Sequence, residues 1–446
     1  VFLFLAILLE NSPGEPYGTS RHSGRLMKRK VIEMNMKSTK VLVRIICILL
    51  ILMGGIGNVQ AHAGLVDSSP KEGELLHHNP GQLSFAFTEV LEADLVEIHL
   101  YDWNGEEVKL EQPKLQPGDA TRVHVPLPAN LAEGTYTAIV SVVSEDGHPV
   151  EERLTFSLGQ KSAHVAEPTQ KQSDPTYLIL FRFLTQGILF VGGGLYLVAC
   201  FAQRYGLPSF AQSLGRGRQI GWLLMFIGLT SLWFVYDASL PAASLTTALW
   251  QGNVSVLSQS PFAIMLLVST LLLLLLGLPG MITGWYVAVW LLLIGTQAFG
   301  GHAWGLSPLW LALLLRVLHV LSIALWLGAL AYLLLHRSQA QQGNEPFKHF
   351  FLRLVAMAAL VSLFTGILML WVQTDLTKML ENWLIWNDLL VVKLVLVLLM
   401  LIVAYRQRNG WLGKHVLNEK RLRWEVVFGI LAIFAGLWMS QMPYPG

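Results

Sequence analysis

Two separate stretches of the sequence carry side chains that bind transition metals. His62 directly follows Val59-Gln60-Ala61, a small-residue sequence of the kind at which signal peptides are cleaved. A histidine at a free N-terminus offers two nitrogen ligands, its α-amine and its imidazole Nδ1. Asp146 and His148 are two residues apart, so in an extended segment both side chains leave the same face. The alternative for Asp146-Gly147 is a hairpin turn with only a backbone role, which leaves the neighbouring histidine unexplained.

The segment before His62 has the pattern of a secretory signal peptide. Lys37, Lys40 and Arg44 form a positively charged stretch, and residues 45–56 form an apolar one. The alternative is an uncleaved anchor, but this apolar stretch is short for a helix that spans a membrane. We therefore predict cleavage after residue 61, so that residues 1–61 are an upstream region plus a signal peptide and His62 becomes the first residue.

The composition divides the rest of the chain into a soluble part and a membrane part. Of the 446 residues, 53% are hydrophobic and 13% are charged, which is too apolar for a soluble protein, and the chain is too long for one domain. The net charge of +2 and the lack of a basic stripe exclude nucleic acid as a partner. The only cysteines, Cys47 and Cys200, cannot build a disulfide framework or a thiolate metal site.

Residues 62–159 are predicted to form a small all-β domain. Apolar and polar residues alternate over 83–87 and 96–100, a turn follows at 102–105, and 136–143 and 154–158 are further strand candidates. About seven short strands in about 100 residues indicate a Greek-key β-sandwich or barrel. Residues 160–176 are polar and contain prolines, so we interpret them as a linker to a membrane domain over 177–446.

The β-domain opens with His62-Ala63-x-Leu65 and Ser69-Pro70, and near its far end it contains Ser144-Glu145-Asp146-Gly147-His148-Pro149. Together these motifs resemble the CopC family of periplasmic copper-binding proteins. The resemblance covers the whole β-domain and implies a copper(II) site made by His62, Asp146 and His148. Three nitrogens and one carboxylate oxygen suit tetragonal copper(II), which stands at the top of the divalent affinity series. Because the amine must lose a proton to coordinate, we expect the affinity to fall below the usual amine pKa of about 7.7 to 8.0.

Other metal ligands in the β-domain are not expected. Members of the family that also hold copper(I) use a methionine-rich patch, and this sequence has no methionine between Met53 and Met225. The remaining histidines of the domain and its linker are interpreted as solvated surface residues. They are His77, His78, His99, His124 and His164.

Eight apolar stretches follow, each long enough or nearly long enough to cross a membrane as a helix. They are residues 177–200, 219–240, 261–278, 282–299, 309–335, 350–372, 388–405 and 424–441. With the β-domain outside, lysines and arginines concentrate in the inner loops and only Lys378 lies in an outer loop, as the positive-inside rule requires. The sequence therefore predicts an all-α eight-helix transmembrane bundle in the cytoplasmic membrane, with the β-domain extracytoplasmic.

Ionisable residues within these stretches are predicted to face the bundle interior, because each would be costly against lipid. They are Arg182, Arg316, His319 and Lys393. The three cations cannot bind a metal cation while they are charged. We expect them either to pair with Asp237 or to attract an anionic copper complex. Gly192-Gly193-Gly194 predicts close packing of another helix, the alternative being a local break that exposes the backbone.

The segment Leu318-His319-x-x-Ser322-x-x-x-Trp326-x-Gly328, together with Thr365-Gly366 and Lys393, resembles the CopD family of copper-associated membrane proteins. This resemblance covers residues 177–441 and implies copper uptake or transfer. The two-part fusion is similar to the YcnJ-type copper proteins of Gram-positive bacteria. Candidate copper ligands along the membrane path are His302, His319 and Met369, with the oxidation state in the bundle left open between copper(I) and copper(II). The alternative for the methionine is ordinary packing.

We predict a copper-binding membrane protein, and not an enzyme, that captures copper(II) outside the cell and mediates copper uptake across the cytoplasmic membrane. The alternative is an extracytoplasmic copper sequestration or resistance protein. A copper monooxygenase would need an open metal position, which Asp146 fills, and a haem oxidoreductase would need paired axial histidines, whereas only His319 lies deep. The partners expected are the copper ion and the lipid bilayer, with any copper chaperone or reductase unidentified.

Overall fold

The computed structural model describes residues 65–143, 149–166, 175–240, 244–258, 260–300, 308–341, 344–374, 376–381, 383–414 and 416–440. A region of β-strands comes first and a region of helices follows. The strands are β1 (Leu65–Ser69), β2 (Glu74–Leu76), β3 (Gln82–Phe87), β4 (Glu97–Tyr101), β5 (Glu107–Val108), β6 (Lys114–Gln116), β7 (Asp119–Pro126), β8 (Gly134–Val143) and β9 (Pro149–Leu158).

The strands form two sheets that pack face to face, which confirms the predicted β-sandwich. One sheet has the order β1-β3-β7-β6 and the other the order β2-β9-β8-β4-β5. All neighbours are antiparallel except β2 and β9, which run parallel. The structure describes more strands than the sequence predicts because β2, β5 and β6 contain only two or three residues each. An alternating pattern needs about four residues to be recognised.

The alternation of β3 shows how the sequence fills the space between the sheets. Leu83, Phe85 and Phe87 are buried and point toward the other sheet, since every second side chain of a strand leaves the same face. Across the core, the rings of Tyr136 and Phe156 stack with their centroids 5.6 Å apart. Burial of these aromatic side chains supplies much of the stabilisation of so small a domain.

Among the described residues, eight long helices follow, and each coincides with one of the predicted apolar stretches. They are α1 (Pro175–Ala202), α3 (Gly217–Ser239), α6 (Pro261–Leu276), α7 (Thr283–Thr296), α8 (Leu309–Leu335), α10 (Glu345–Gln373), α12 (Ile385–Lys414) and α13 (Glu419–Met439). Five short helices lie between them: α2 (Phe210–Leu214), α4 (Leu245–Gln251), α5 (Val254–Ser258), α9 (Arg337–Gln341) and α11 (Leu376–Glu381). Of the long helices, six are long and apolar enough to cross a membrane, while α6 and α7 are apolar but shorter.

The centre of the bundle is the crossing of α1 and α8. A β-carbon on Gly194 would lie 1.8 Å from the carbonyl oxygen of Ala324, and one on Gly328 would lie 2.0 Å from the carbonyl carbon of Gly194. The two backbones therefore touch, as small residues permit, and α1 remains one unbroken helix. The close packing predicted for the glycine run is confirmed. The α1 helix is buried on most sides, whereas α10 and α12 present most of their surface outward.

The β-sandwich and the helices share an apolar cluster. Leu95 and Val143 of the β-domain are fully buried, and they belong to the same cluster as Leu178 and Ile179 near the start of α1. Val143 is the last residue of β8. The end of the sandwich where β8 finishes therefore adjoins the helical region.

One surface histidine of the β-domain lies between two carboxylates. The Nδ1 atom of His99 is 2.5 Å from Oε1 of Glu107, and Nε2 is 3.2 Å from Oε1 of Glu97. Burial alone would lower the pKa of His99, but the hydrogen bond with Glu107 and the charges of both glutamates outweigh it, so the pKa is raised above its ordinary value. The cluster therefore stabilises the fold fully below about pH 6.5, and this contribution disappears as the pH rises through the higher pKa of the folded state.

We expect His99→Gln to lower the melting temperature at about pH 5.5 and to leave it unchanged at about pH 9, as measured by thermal unfolding of the purified chain. The loss should be at most about 1 kcal/mol, which is the range of partly exposed ion pairs. His124→Gln, on the other sheet, is the control. A loss of equal size at both pH values would show that the ring matters for packing and not for its charge.

Candidate metal centre and bundle interior

The three residues predicted to bind copper(II), His62, Asp146 and His148, lie outside the described residues, as does His302. The segments that flank the first three are described. His62 precedes Leu65, the first residue of β1, by three positions. Asp146 and His148 lie in sequence between Val143 and Pro149, which pair with each other at the ends of β8 and β9.

These flanking segments meet at one end of the sandwich. Leu65 pairs with Phe87, the last residue of β3. The chain continues from β3 to Glu92, whose backbone amide donates a hydrogen bond of 2.9 Å to the carbonyl oxygen of Val143. The start of β1 and the end of β8 therefore lie at the same end of the sandwich.

Among the described residues, no group of three or more His, Cys, Asp and Glu side chains is placed to hold a metal ion. The predicted site does not compete with another such cluster in that part of the chain. The ligand set of His62, Asp146 and His148 stays a prediction from the sequence.

In the helical region, His319 of α8 is fixed in one tautomer by α10. Its Nδ1 atom lies 3.0 Å from the carbonyl oxygen of Ser362 and 3.0 Å from Oγ1 of Thr365. A carbonyl can only accept, so Nδ1 carries the proton and donates it. The hydroxyl of Thr365 in turn donates to the carbonyl oxygen of Val361 at 2.6 Å. In the neutral ring, Nε2 is then left with its lone pair.

That lone pair is buried without a partner within the described part of the chain. A histidine that donates one ring nitrogen to a carbonyl and keeps the other free has the arrangement typical of a metal ligand. Gly366 lies beside the ring, since a β-carbon there would be 3.4 Å from Cε1 of His319. Met369 follows Thr365 by four residues on the same face of α10. Helical spacing therefore puts Met369 one turn beyond Thr365, on the face of α10 that His319 contacts.

Two of the predicted interior cations lie near His319. Arg316, one turn earlier on α8, donates a hydrogen bond to the carbonyl oxygen of Gly300. Lys393 of α12 extends over Gly436 of α13, where its Nζ lies 3.3 Å from the position that a β-carbon would take. The charges of both cations act on the His319 ring, and they act on each other. Three of the predicted residues are thus brought together in one region.

The third cation, Arg182, is placed elsewhere. It is fully buried on α1, and its guanidinium lies over the ring of Phe262 of α6, 5.0 Å from the ring centroid. Asp237, the partner expected for these cations, accepts hydrogen bonds from the backbone amide of Leu245 and from the hydroxyl of Thr246, both at 2.6 Å. Its carboxylate therefore supports the start of α4.

Several buried polar residues of the bundle were missed from the sequence. The amide of Gln186 donates to that of Gln297 at 3.1 Å, and Gln297 donates to Ser269 at 3.0 Å, so a polar chain links α1, α7 and α6. Glu425 of α13 is buried and accepts a hydrogen bond of 3.4 Å from the indole of Trp326. Uncharged glutamines give no signal in a search for ionisable residues. Glu425 stands at the edge of its apolar stretch, close to the charged residues of 419–423. In the sequence it therefore looks like part of the preceding loop and not like a buried residue.

Comparisons with known proteins find relatives of the β-domain and of a longer part of the chain. Residues 65–159 match the CopC domain family. The chain is 25% identical over 307 residues to the copper transport protein CutJ of Bacillus subtilis, an alignment that covers 65% of this chain and 56% of CutJ. The chain thus spans little more than half of that relative's length. It is also 31% identical over 101 residues to protein YobA of Escherichia coli K12, covering 23% of this chain and 82% of YobA.

Among solved structures, CopC from Methylosinus trichosporium OB3b is 28% identical and aligns over its full length with 24% of this chain, with a TM-score of 0.21. The match to YobA covers most of that protein. The chain therefore belongs to the CopC family.

Proposed function

We propose that the protein captures copper(II) at the end of the β-sandwich and passes copper into the helical bundle for uptake across the cytoplasmic membrane. The capture site consists of the α-amine and imidazole of His62 together with Asp146 and His148. The observation that carries this proposal is the meeting of the two flanking segments: Leu65 and Val143 lie at the same end of the sandwich. His62 comes three positions before Leu65, and Asp146 and His148 come three and five positions after Val143, so the proposal has these residues share one ion.

The same end of the sandwich adjoins the helices, since Val143 and Leu95 are buried in the cluster that includes the start of α1. A copper ion held beyond Val143 is thus close to the bundle and needs no long diffusion step to reach it. Similarity to a copper transport protein supports transfer, and the long apolar helices support a path across a membrane. The concentration of positive charge in the loops predicted to be internal supports a β-domain that lies outside.

Within the bundle, we propose a second copper-binding site at the free Nε2 lone pair of His319. Its ring is already held by Ser362 and Thr365, so binding requires no rotation of the imidazole. An imidazole nitrogen and the nearby thioether of Met369 are both ligands that copper accepts.

The capture site is tested on the full chain expressed with its own signal sequence. We expect the mature N-terminus to be His62 and the electron paramagnetic resonance spectrum of bound copper(II) to be tetragonal with several nitrogen ligands. An alanine inserted between Ala61 and His62 moves the amine away from the ring chelate, so the nitrogen-rich spectrum should be lost. Copper(II) affinity should also fall as the pH drops below about 7.7, because the amine is then protonated.

His78→Ala is the control, because it removes a histidine of the same domain that stands outside the predicted ligand set. It should leave the spectrum unchanged. A different mature N-terminus, or an unchanged spectrum with the inserted alanine, would overturn the proposed chelate. Copper content of cells with and without the gene under copper starvation then separates uptake from sequestration, since a sequestering protein would leave the content of starved cells unchanged.

A further inference from the structure

The helical bundle contains a buried carboxylate, Glu425 of α13, that has no positive partner among the described residues. The residue is only 2% exposed. Its one polar contact in that part of the chain is the indole of Trp326, whose Nε1 donates to Oε1 over 3.4 Å, a long hydrogen bond. A carboxylate in an apolar interior is costly unless a proton or a cation neutralises it. Glu425 is therefore a point at which the bundle can accept a cation.

The thioether of Met400 lies close to the same face of α13. Met400 of α12 is buried, and its Sδ lies 3.5 Å from the position that a β-carbon on Gly429 would take. Gly429 follows Glu425 by four residues, so the two share one helix face. Leu327, which follows Trp326 on α8, meets Gly429 as well. Met400 and Glu425 therefore both line the junction of α8, α12 and α13.

Two contacts show how α12 and α13 are aligned. The Nζ of Lys393 lies 3.3 Å from the position of a β-carbon on Gly436. Seven residues later on α12, Met400 meets Gly429, which comes seven residues earlier on α13. The two helices are thus antiparallel, and their contacting residues recur every seven positions, which is two helical turns.

Gln407 is the next residue of this series on α12. The alignment places it opposite Leu422, one turn from Glu425, and the hydrogen bond of 3.1 Å from the side chain of Arg421 to the carbonyl oxygen of Arg406 agrees with it. The side chain of Gln407 is buried, and both its amide atoms lack a hydrogen-bond partner within the described residues. A buried amide without partners costs free energy, so this group is also open to a ligand.

These groups lie deeper along the predicted copper path than His319. Trp326, which contacts Glu425, follows His319 by seven residues on α8, or about 10 Å along the helix. Glu425 itself is six residues from the start of α13, about 9 Å from the end of the bundle that the loop charges predict to be internal. A copper ion that moves inward from His319 along α8 therefore reaches the level of Glu425 next.

We propose that Glu425, Met400 and Gln407 form an inner copper site, which binds the ion after His319 and before its release from the bundle. The inference rests on the proposed function, because it extends the same path. The carboxylate offsets the charge of the ion in an apolar interior. The thioether is a soft ligand that suits copper and has little affinity for sodium or potassium. The amide oxygen is a weaker ligand, as befits a site that the ion must also leave.

Glu425→Gln tests the carboxylate, because glutamine keeps an acceptor for the indole of Trp326 and removes the charge. We expect the copper content of starved cells that lack the chromosomal gene to be about tenfold lower, or less, with this variant than with the wild type. Asp388→Asn is the matched control. The carboxylate of Asp388 also accepts a hydrogen bond from an indole, that of Trp383 at 2.9 Å, but it is exposed. This variant should support uptake like the wild type.

The melting temperature of the full chain in detergent distinguishes copper binding from a structural role. Glu425→Gln removes a buried charge that has no partner among the described residues, so it should melt at or above the wild type although uptake is lost. Met400→Leu nearly conserves volume and removes the thioether, so it should lower uptake with little change in melting temperature. Met357→Leu, at an exposed methionine of α10, should change neither.

Equilibrium dialysis of the purified full chain measures the site directly. With copper(II), or with copper(I) kept reduced by ascorbate, Glu425→Gln should bind one ion fewer per chain than the wild type. Equal binding by the two proteins in both oxidation states, or equal uptake at equal amounts of protein in the membrane, would overturn the inference. A wild type that takes up no copper would instead overturn the proposed uptake, and the dialysis would still decide whether the inner copper site exists.

Discussion

Replacing His319 with glutamine is expected to lower copper uptake about tenfold or more while copper(II) binding by the β-domain is retained. Glutamine is similar in length, and its amide can still donate a hydrogen bond to the carbonyl of Ser362, as Nδ1 does at 3.0 Å. Its other polar atom is an amide oxygen, however, which is a much weaker copper ligand than the buried Nε2 atom that it replaces. Loss of a ligand or of its support commonly costs a factor of about 10 to 100 in affinity or activity. Uptake should therefore fall by about tenfold or more.

The measurement is the copper content of starved cells that lack the chromosomal gene and carry either the wild type or the variant. His349→Gln is the matched control, because His349 lies on α10 but is exposed near the start of that helix. It should support uptake like the wild type. Equal uptake by the two variants, at equal amounts of protein in the membrane, would exclude His319 from the path.

The sequence predicts the strands and turns of the β-domain well because residues that are close together in the sequence determine them. Alternation over 83–87 places every second side chain in the core, and the structure buries Leu83, Phe85 and Phe87. The turn at 102–105 is likewise set by neighbouring residues, since the carboxylate of Asp102 accepts from the backbone amides of Asn104 and Glu106. The pairing of β2 with β9 is not predictable in this way, because a three-residue strand joins a partner about 80 residues away.

In the helical bundle, too, some features are set by residues close together in the sequence and others by contacts between distant segments. The existence of eight apolar helices follows from length and composition alone. Which faces meet depends on the rotation of each helix and on its neighbours. The contact of His319 with Ser362 and Thr365 joins residues more than 40 positions apart, and nothing in either segment specifies the other. The same holds for Glu425 and Trp326, which lie 99 positions apart.

The glycine contact between α1 and α8 is the exception, since the glycines themselves signal it. Where two helices approach until their backbones touch, the residues at the contact must be small. Gly194 lies in a run of three glycines, and Gly328 closes the motif that begins with Leu318. At each of these two glycines, a β-carbon would clash with backbone atoms of the other helix. The glycine run in α1 and the glycine of the α8 motif therefore mark the same contact.

Gly194→Ala is therefore expected to destabilise the bundle strongly. The new β-carbon would lie 1.8 Å from the carbonyl oxygen of Ala324, and a backbone atom cannot rotate away as a side chain can. Overpacking of a well-filled interior typically costs about 1 to 3 kcal/mol and occasionally more, and we expect the upper end of this range or beyond. The melting temperature and the yield of folded protein in detergent are the measurements.

Gly295→Ala provides the control, because Gly295 lies in α7 and a β-carbon there would meet nothing within 4 Å. Alanine favours a helix over glycine by up to about 1 kcal/mol, so this variant should melt at or above the wild type. The two substitutions are chemically identical and lie in helices of the same region, so any difference between them measures the backbone contact. If Gly194→Ala melts like Gly295→Ala, α1 and α8 do not touch at this point, and the position of His319 on α8 relative to α1 would have to be reconsidered.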